Sequence, residues 1–128
     1  MRPLGRGVGV IAAGNFSITA AMAQAAAVLV ARHLPQAEII DYASDTKADV
    51  PSGTSRELAE RLAQVRPPVV TRSLDEIDGP REARGTSVDG IPVHSVRLPS
   101  FSVSTEVIFA LPDERLTIRH DAGWSATP

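Results

Sequence analysis

Residues 41–62 constrain the fold more than any other part of the chain. Asp41 closes a short apolar segment, residues 42–52 are polar and turn-rich, and Thr54 opens a stretch in which Leu58, Leu62 and Val65 recur on one side. That order is strand, loop, helix. Thr54 with Glu57 three residues on fits a capping box, in which the Thr hydroxyl takes the third helical amide and the Glu carboxylate returns to the cap. The helix is therefore expected to begin at Ser55. Gly53 lets backbone come close to a ligand, and the free amides of a first helical turn, with the positive end of the dipole, favour a carboxylate or phosphate. Lys47 on the same loop adds a mobile cation and a proton donor. Pro51-Ser-Gly-Thr54 by itself is ordinary turn chemistry, and on those four residues alone a purely structural cap is the more frequent meaning.

Upstream, the run from Gly7 to Ala31 carries no formal charge and follows Arg2 and Arg6, the outline of a signal peptide with Ala23-Gln-Ala25 as its cleavage site. The polar interruption Gly14-Asn-Phe-Ser17 favours another reading, a strand at residues 8–13 and a helix at residues 18–33, neither long enough to span a bilayer. In that helix Ile18, Met22, Ala25, Ala26, Leu29 and His33 recur at three and four residues, which gives one apolar face, and the many Ala residues permit close packing against a sheet. Ser17 or Asn15 is the expected cap, and Leu34-Pro35 the stop.

Residues 36–42 read as the strand that leads to the loop. Residues 66–90, rich in Pro, Gly and charge, read as a loop with a candidate short strand at 69–72. Strands are expected at 91–98, 103–111 and 114–121, with Pro112-Asp113-Glu114 as a hairpin connection and Val107, Phe109, Leu116 and Ile118 facing inward. The expected fold is α+β: one domain over residues 1–128, a mixed sheet of about four to five strands with two main helices on one face.

Composition narrows the function. A net charge of −2 with scattered Lys and Arg gives no phosphate-neutralising surface, which argues against nucleic-acid binding. With no cysteine, disulfides, thiolate metal sites and a Cys nucleophile are excluded, and the composition suits a cytoplasmic protein. His33 is expected at a helix end or in the core, His94 mid-strand and His120 in the last strand, with no metal-ligand spacing among them. Asp41, Asp45 and Asp49 lack the further ligands of a calcium loop, so no metal is expected.

Lys47-x-Asp-x-Pro-Ser-Gly-Thr54 after an acidic strand end resembles the substrate loop of dihydrodipicolinate reductase, the nicotinamide-dependent reductase of lysine and diaminopimelate biosynthesis. Ala13-Gly-Asn-Phe-Ser17 resembles the turn where that family's cofactor domain passes into its substrate domain, and residues 114–122 resemble its last strand. The resemblance implies Lys47 as catalytic proton donor and Ser44, Lys47, Ser52, Gly53 and Thr54 as substrate-binding. It implies Ala13, Gly14, Asn15 and Phe16 as contacts to NADPH or NADH, a cyclic imine dicarboxylate as substrate, and assembly through the sheet into a homotetramer. No Gly-x-Gly-x-x-Gly unit precedes the turn, so the nicotinamide-binding domain is expected to be absent, the cofactor not retained and the fragment alone inactive. Trp124 is as well placed to dock a missing C-terminal helix as to touch a ligand. The main departure is at Ala43 and Ser44, where the family carries a His pair; neither side chain exchanges protons near neutral pH. Two readings stand: half of a reductase, whether of this substrate or another, or a non-catalytic binding or assembly module that keeps the fold.

Overall fold

The structure, a computed structural model, describes residues 17–123. The expected strand at residues 8–13, the turn Ala13 to Phe16 and Trp124 lie outside the described residues. Helix α1 (Ile18–Ala31) begins where the Ser17 hydroxyl accepts the Ala20 amide at 3.2 Å, which satisfies one of the four amides a helix start leaves free. It ends ahead of Pro35, whose ring would clash with a further turn. Strand β1 (Ala37–Ala43), helix α2 (Gly53–Val65), strand β2 (Thr86–Val88) and strand β3 (Ile91–Arg97) follow. Strands β4 (Val103–Leu111) and β5 (Glu114–Ala122) close the chain as the expected hairpin, with Leu111 paired to Glu114.

The five strands form one mixed sheet in the order β2-β3-β1-β4-β5, in which β1 runs parallel to β3 and antiparallel to β4. Both helices pack on the same face, as expected of an α+β fold. Alternation along β1 explains the core: Ile39, Asp41 and Ala43 point to the helices and are 0% exposed, while Glu38, Ile40 and Tyr42 point to the open face. Ile39, Val93, Val107 and Phe109 meet Leu58, Ala59 and Leu62 of α2, and each large apolar side chain so buried contributes about 1.5–3 kcal/mol. On the open face the Tyr42 hydroxyl donates to Glu106 at 2.8 Å, its ring stacks on Phe101 at 5.2 Å, and the Arg119 guanidinium lies 4.6 Å above it.

Four expectations are corrected. The stripe Ile18, Met22 and Leu29 faces solvent at 63%, 64% and 55% exposure, and the sheet-facing side of α1 is the small one, with Ala27 and Ala31 buried. A helix apolar on every side gives no sequence signal for which face turns inward, and the Ala face wins because it allows the closest approach. His33 accordingly stands exposed beyond the end of α1. Residues 69–72 form no strand. Instead β2 pairs with β3 around Asp89-Gly90, both at positive φ (51° and 92°), the geometry of a tight hairpin turn that an Asp-Gly pair signals. Leu116 is 44% exposed on the edge strand rather than facing inward, whereas Ile118 packs against the core.

Candidate functional site

Chain direction gathers the chemistry at one end of the sheet. α1 enters and α2 leaves on either side of β1, so both helix N-termini lie at the carboxyl end of β1, together with the C-terminal ends of β3 and β5 and the start of β4. Two positive dipole ends converge there. Of the expected site residues, the structure brings Ser44, Lys47, Ser52, Gly53 and Thr54 to this end.

The helix start is two residues earlier than expected. Ser52, not Thr54, is the cap: its hydroxyl accepts the Ser55 amide at 3.3 Å, and its own amide donates to Asp41 Oδ2 at 2.9 Å. Ser52 is 3% exposed, so it acts as a buried cap whose polar groups are taken up by the protein. Gly53 and Thr54 become the first two helical residues, both exposed, with amides that have no intrahelical acceptor. A Cβ added at Gly53 would meet nothing within 4 Å, so packing inside the domain does not require glycine there. Relieved of capping, the Thr54 side chain lines a cavity of about 30 Å³ with Ala20, Thr105 and His120. A larger hollow of about 420 Å³ lies at the opposite end of β1, on the open face under residues 68–77, away from both helix N-termini.

The loop that carries Lys47 is held from beneath. Asp41 is 0% exposed, and its Oδ2 accepts from Arg97 at 2.9 Å and from the Ser95 hydroxyl at 3.1 Å as well as from Ser52. Arg97 also donates to the Asp49 carbonyl at 2.7 Å, tying β1, β3 and the loop to one guanidinium. Burial alone would push the Asp41 carboxyl up, but the bonds from Arg97 and Ser52 outweigh it and hold the carboxyl below the usual carboxylate range. Arg97 was not singled out from sequence. It becomes legible only through the parallel register that sets it opposite Ala43.

Lys47 itself is half-buried, with Nζ 3.8 Å from Asp49 Oδ2 and its amide bonded to the Ser44 carbonyl at 3.1 Å. The Ser44 hydroxyl is spent within the turn, where it accepts the Thr46 amide at 3.2 Å and lies 2.9 Å from the Thr46 hydroxyl. Ala43 is wholly buried on the helix side. Neither position presents an acid or base to a ligand. His94 meets Glu38 at 2.7 Å on the open face, and His120 Nε2 lies 2.8 Å from the Thr19 hydroxyl at the first turn of α1. Among the described residues no group of three or more His, Asp or Glu is arranged to hold a metal ion.

Residues 15–126 match the family described as Dihydrodipicolinate reductase, C-terminus. The 4-hydroxy-tetrahydrodipicolinate reductase of Geobacillus thermodenitrificans is 43% identical over 115 residues, which cover 90% of this chain and 43% of that protein. That of Desulfitobacterium hafniense is 44% identical over the same length, with the same coverage. A dipicolinate-bound dihydrodipicolinate reductase from Paenisporosarcina sp. TG-14 superposes with a TM-score of 0.78 at 39% identity, over 84% of this chain and 41% of that one. The chain thus spans less than half the length of these relatives. With sequence, fold and match all falling on the same stretch, the chain belongs to the dihydrodipicolinate reductase family, as its C-terminal domain.

Proposed function

We propose that this chain is the substrate-binding part of a nicotinamide-dependent reductase that acts on a cyclic imine dicarboxylate in lysine and diaminopimelate biosynthesis. The observation that carries this reading is the exposed first turn of α2, with open space over Gly53, at the carboxyl end of β1 where the Lys47 loop is anchored. One substrate carboxylate would accept from the Gly53 and Thr54 amides and the Thr54 hydroxyl, which favour an anion through both hydrogen bonds and dipole. Ser44 would flank the approach from the loop side, while the buried Ser52 would act from beneath by fixing the turn that presents Gly53 and Thr54.

Lys47 would donate the proton the reduced substrate takes up. Its side chain is half-exposed, open to solvent for proton exchange, with Nζ 3.8 Å from Asp49 Oδ2. The hydride would come from NADPH or NADH when one is bound. Among the described residues no glycine-rich strand-to-helix turn offers a pyrophosphate cradle, so the cofactor would be held by Ala13, Gly14, Asn15 and Phe16 and by the nucleotide-binding domain that family members carry. The open face of the sheet, with Ile40, Val96 and Ile108 among charged neighbours, is the surface through which copies would assemble into a tetramer. Among the described residues no helix is long and apolar enough to cross a membrane.

Calorimetry with pyridine-2,6-dicarboxylate tests the pocket. Lys47→Ala and Thr54→Val are each expected to weaken binding by about tenfold, near 1.4 kcal/mol, and variants that bind as tightly as the parent would remove this assignment. The buried Ala43 and the turn-bound Ser44 favour a second reading, a binding module without turnover. Fusing the chain to the nucleotide-binding domain of a relative and following NADPH oxidation separates the two: retained binding without oxidation supports the module.

A further inference from the structure

α1 carries no charged residue from Ile18 to Ala31, and it divides into two unlike faces. The small side buries Ala27 and Ala31 against the core. Ile18, Met22, Ala25 and Leu29, spaced by four, three and four residues, fall within about 60° of one another on a helix and form a stripe about 16 Å long. The three large side chains of that stripe are 55–64% exposed. A helix apolar on both sides belongs between two layers, and here one layer is the sheet.

We propose that the outward face of α1 is the docking surface for the nucleotide-binding domain of a full-length family member. Three observations select this occupant. The matched relatives are more than twice as long as the aligned segment, and the family match is to their C-terminal part, so most of their remaining length precedes α1. The two points at which such a chain would enter and leave this domain lie side by side at the first turn of α1: Ser17 adjoins Ile18, and His120, near the end of β5, is 2.8 Å from Thr19. Polypeptide on either side therefore emerges next to Ile18 and Met22. The stripe is also free of charge along its length, so the complementary surface is an apolar one that buries Met22 at its centre. This inference rests on family membership and on the exposure of α1; it stands whether or not Gly53 and Thr54 bind a carboxylate.

The chain contains no cysteine, which makes single-site labelling clean. Met22→Cys in the 128-residue chain is expected to react with a maleimide as an exposed thiol. The same substitution is then placed in a chimaera in which residues 15–126 replace the aligned segment of the Geobacillus thermodenitrificans relative, with reaction at position 22 read by peptide mass spectrometry. There it is expected to react at least about tenfold more slowly, because labelling then needs local opening of a packed surface. Glu60→Cys, exposed on α2, should react equally in both. Equal reaction of Met22→Cys in both proteins overturns the proposal. So does protection in the short chain that grows with concentration, which would assign the stripe to a second copy. If the chimaera does not fold, the cysteine goes into the aligned position of the relative itself, where fast labelling again refutes the docking surface.

Discussion

Replacing Arg97 by Met removes the guanidinium that holds the loop to the sheet. Four acceptors lose a donor: Asp41 Oδ2 at 2.9 Å, the Asp49 carbonyl at 2.7 Å, the Val96 carbonyl at 2.9 Å and the Asp41 carbonyl at 3.4 Å. The carboxylate left behind is 0% exposed, and among the described residues Ser52 and the Ser95 hydroxyl remain to compensate its charge. Stranding one partner of a buried pair costs about 3–5 kcal/mol. The lower end applies here, because Asp41 Oδ1 and Arg97 Nε are buried without a partner among the described residues, so the pair is single-pronged, and the Arg97 side chain is 14% exposed. About 3 kcal/mol against a typical total of 5–15 should lower the urea midpoint, followed by far-UV circular dichroism, by about 1–3 M. Asp41→Asn with Arg97→Met should recover part of the loss, with a coupling of at least about 1.5 kcal/mol. A loss under about 1 kcal/mol for Arg97→Met, or two losses that simply add, would refute the clamp.

The position of the α2 cap gives a second expectation: Ser52→Ala should cost about 1 kcal/mol in thermal denaturation and Thr54→Ala less than about 0.5, and the reverse order would return the cap to Thr54. Gly53→Ala should fold at least as stably as the parent, since a Cβ there meets open space, while weakening pyridine-2,6-dicarboxylate binding; unchanged binding would take Gly53 out of the site. Gly85→Ala should be strongly destabilising, because Gly85 sits at φ 77° and its Cβ would lie 2.6 Å from the Val93 carbonyl; a melting temperature within 2 °C of the parent, a shift of about 0.5 kcal/mol or less, would contradict that packing. For pH, the Asp41 carboxyl is held low in the folded state, so its contribution is whole above the ordinary aspartate range near pH 3.9 and disappears as pH falls through the lower folded value. Urea midpoints should stay level from neutral to about pH 5 and fall below about pH 4. Arg97→Met should flatten that fall without abolishing it, since Glu38 and Asp121 are also held low; an unchanged slope would sever Asp41 from it.

Local chemistry decided the elements. Ser17 before an Ala-rich run, Pro35 after it, the double proline behind Val65 and the alternating β4 and β5 are each readable because the partner that matters is a few residues away. The Lys47 to Thr54 run was legible for the same reason, as a polar loop that leads into a helix start. Asp89-Gly90 carried an equally local signal for the β2 and β3 hairpin, which a charged, proline-rich context obscured.

Tertiary structure decided the rest. The cap moved from Thr54 to Ser52 because Asp41, eleven residues back on a buried strand, takes the Ser52 amide and fixes the turn. Arg97 entered the site through a parallel strand pairing that no short-range pattern encodes. Which side of α1 turned inward was likewise undetermined by periodicity, since apolar side chains surround it, and closeness of packing chose the alanines. Contacts within a few residues are set by backbone geometry and propensity alone, whereas register, facing and buried charge are set only when the whole core closes.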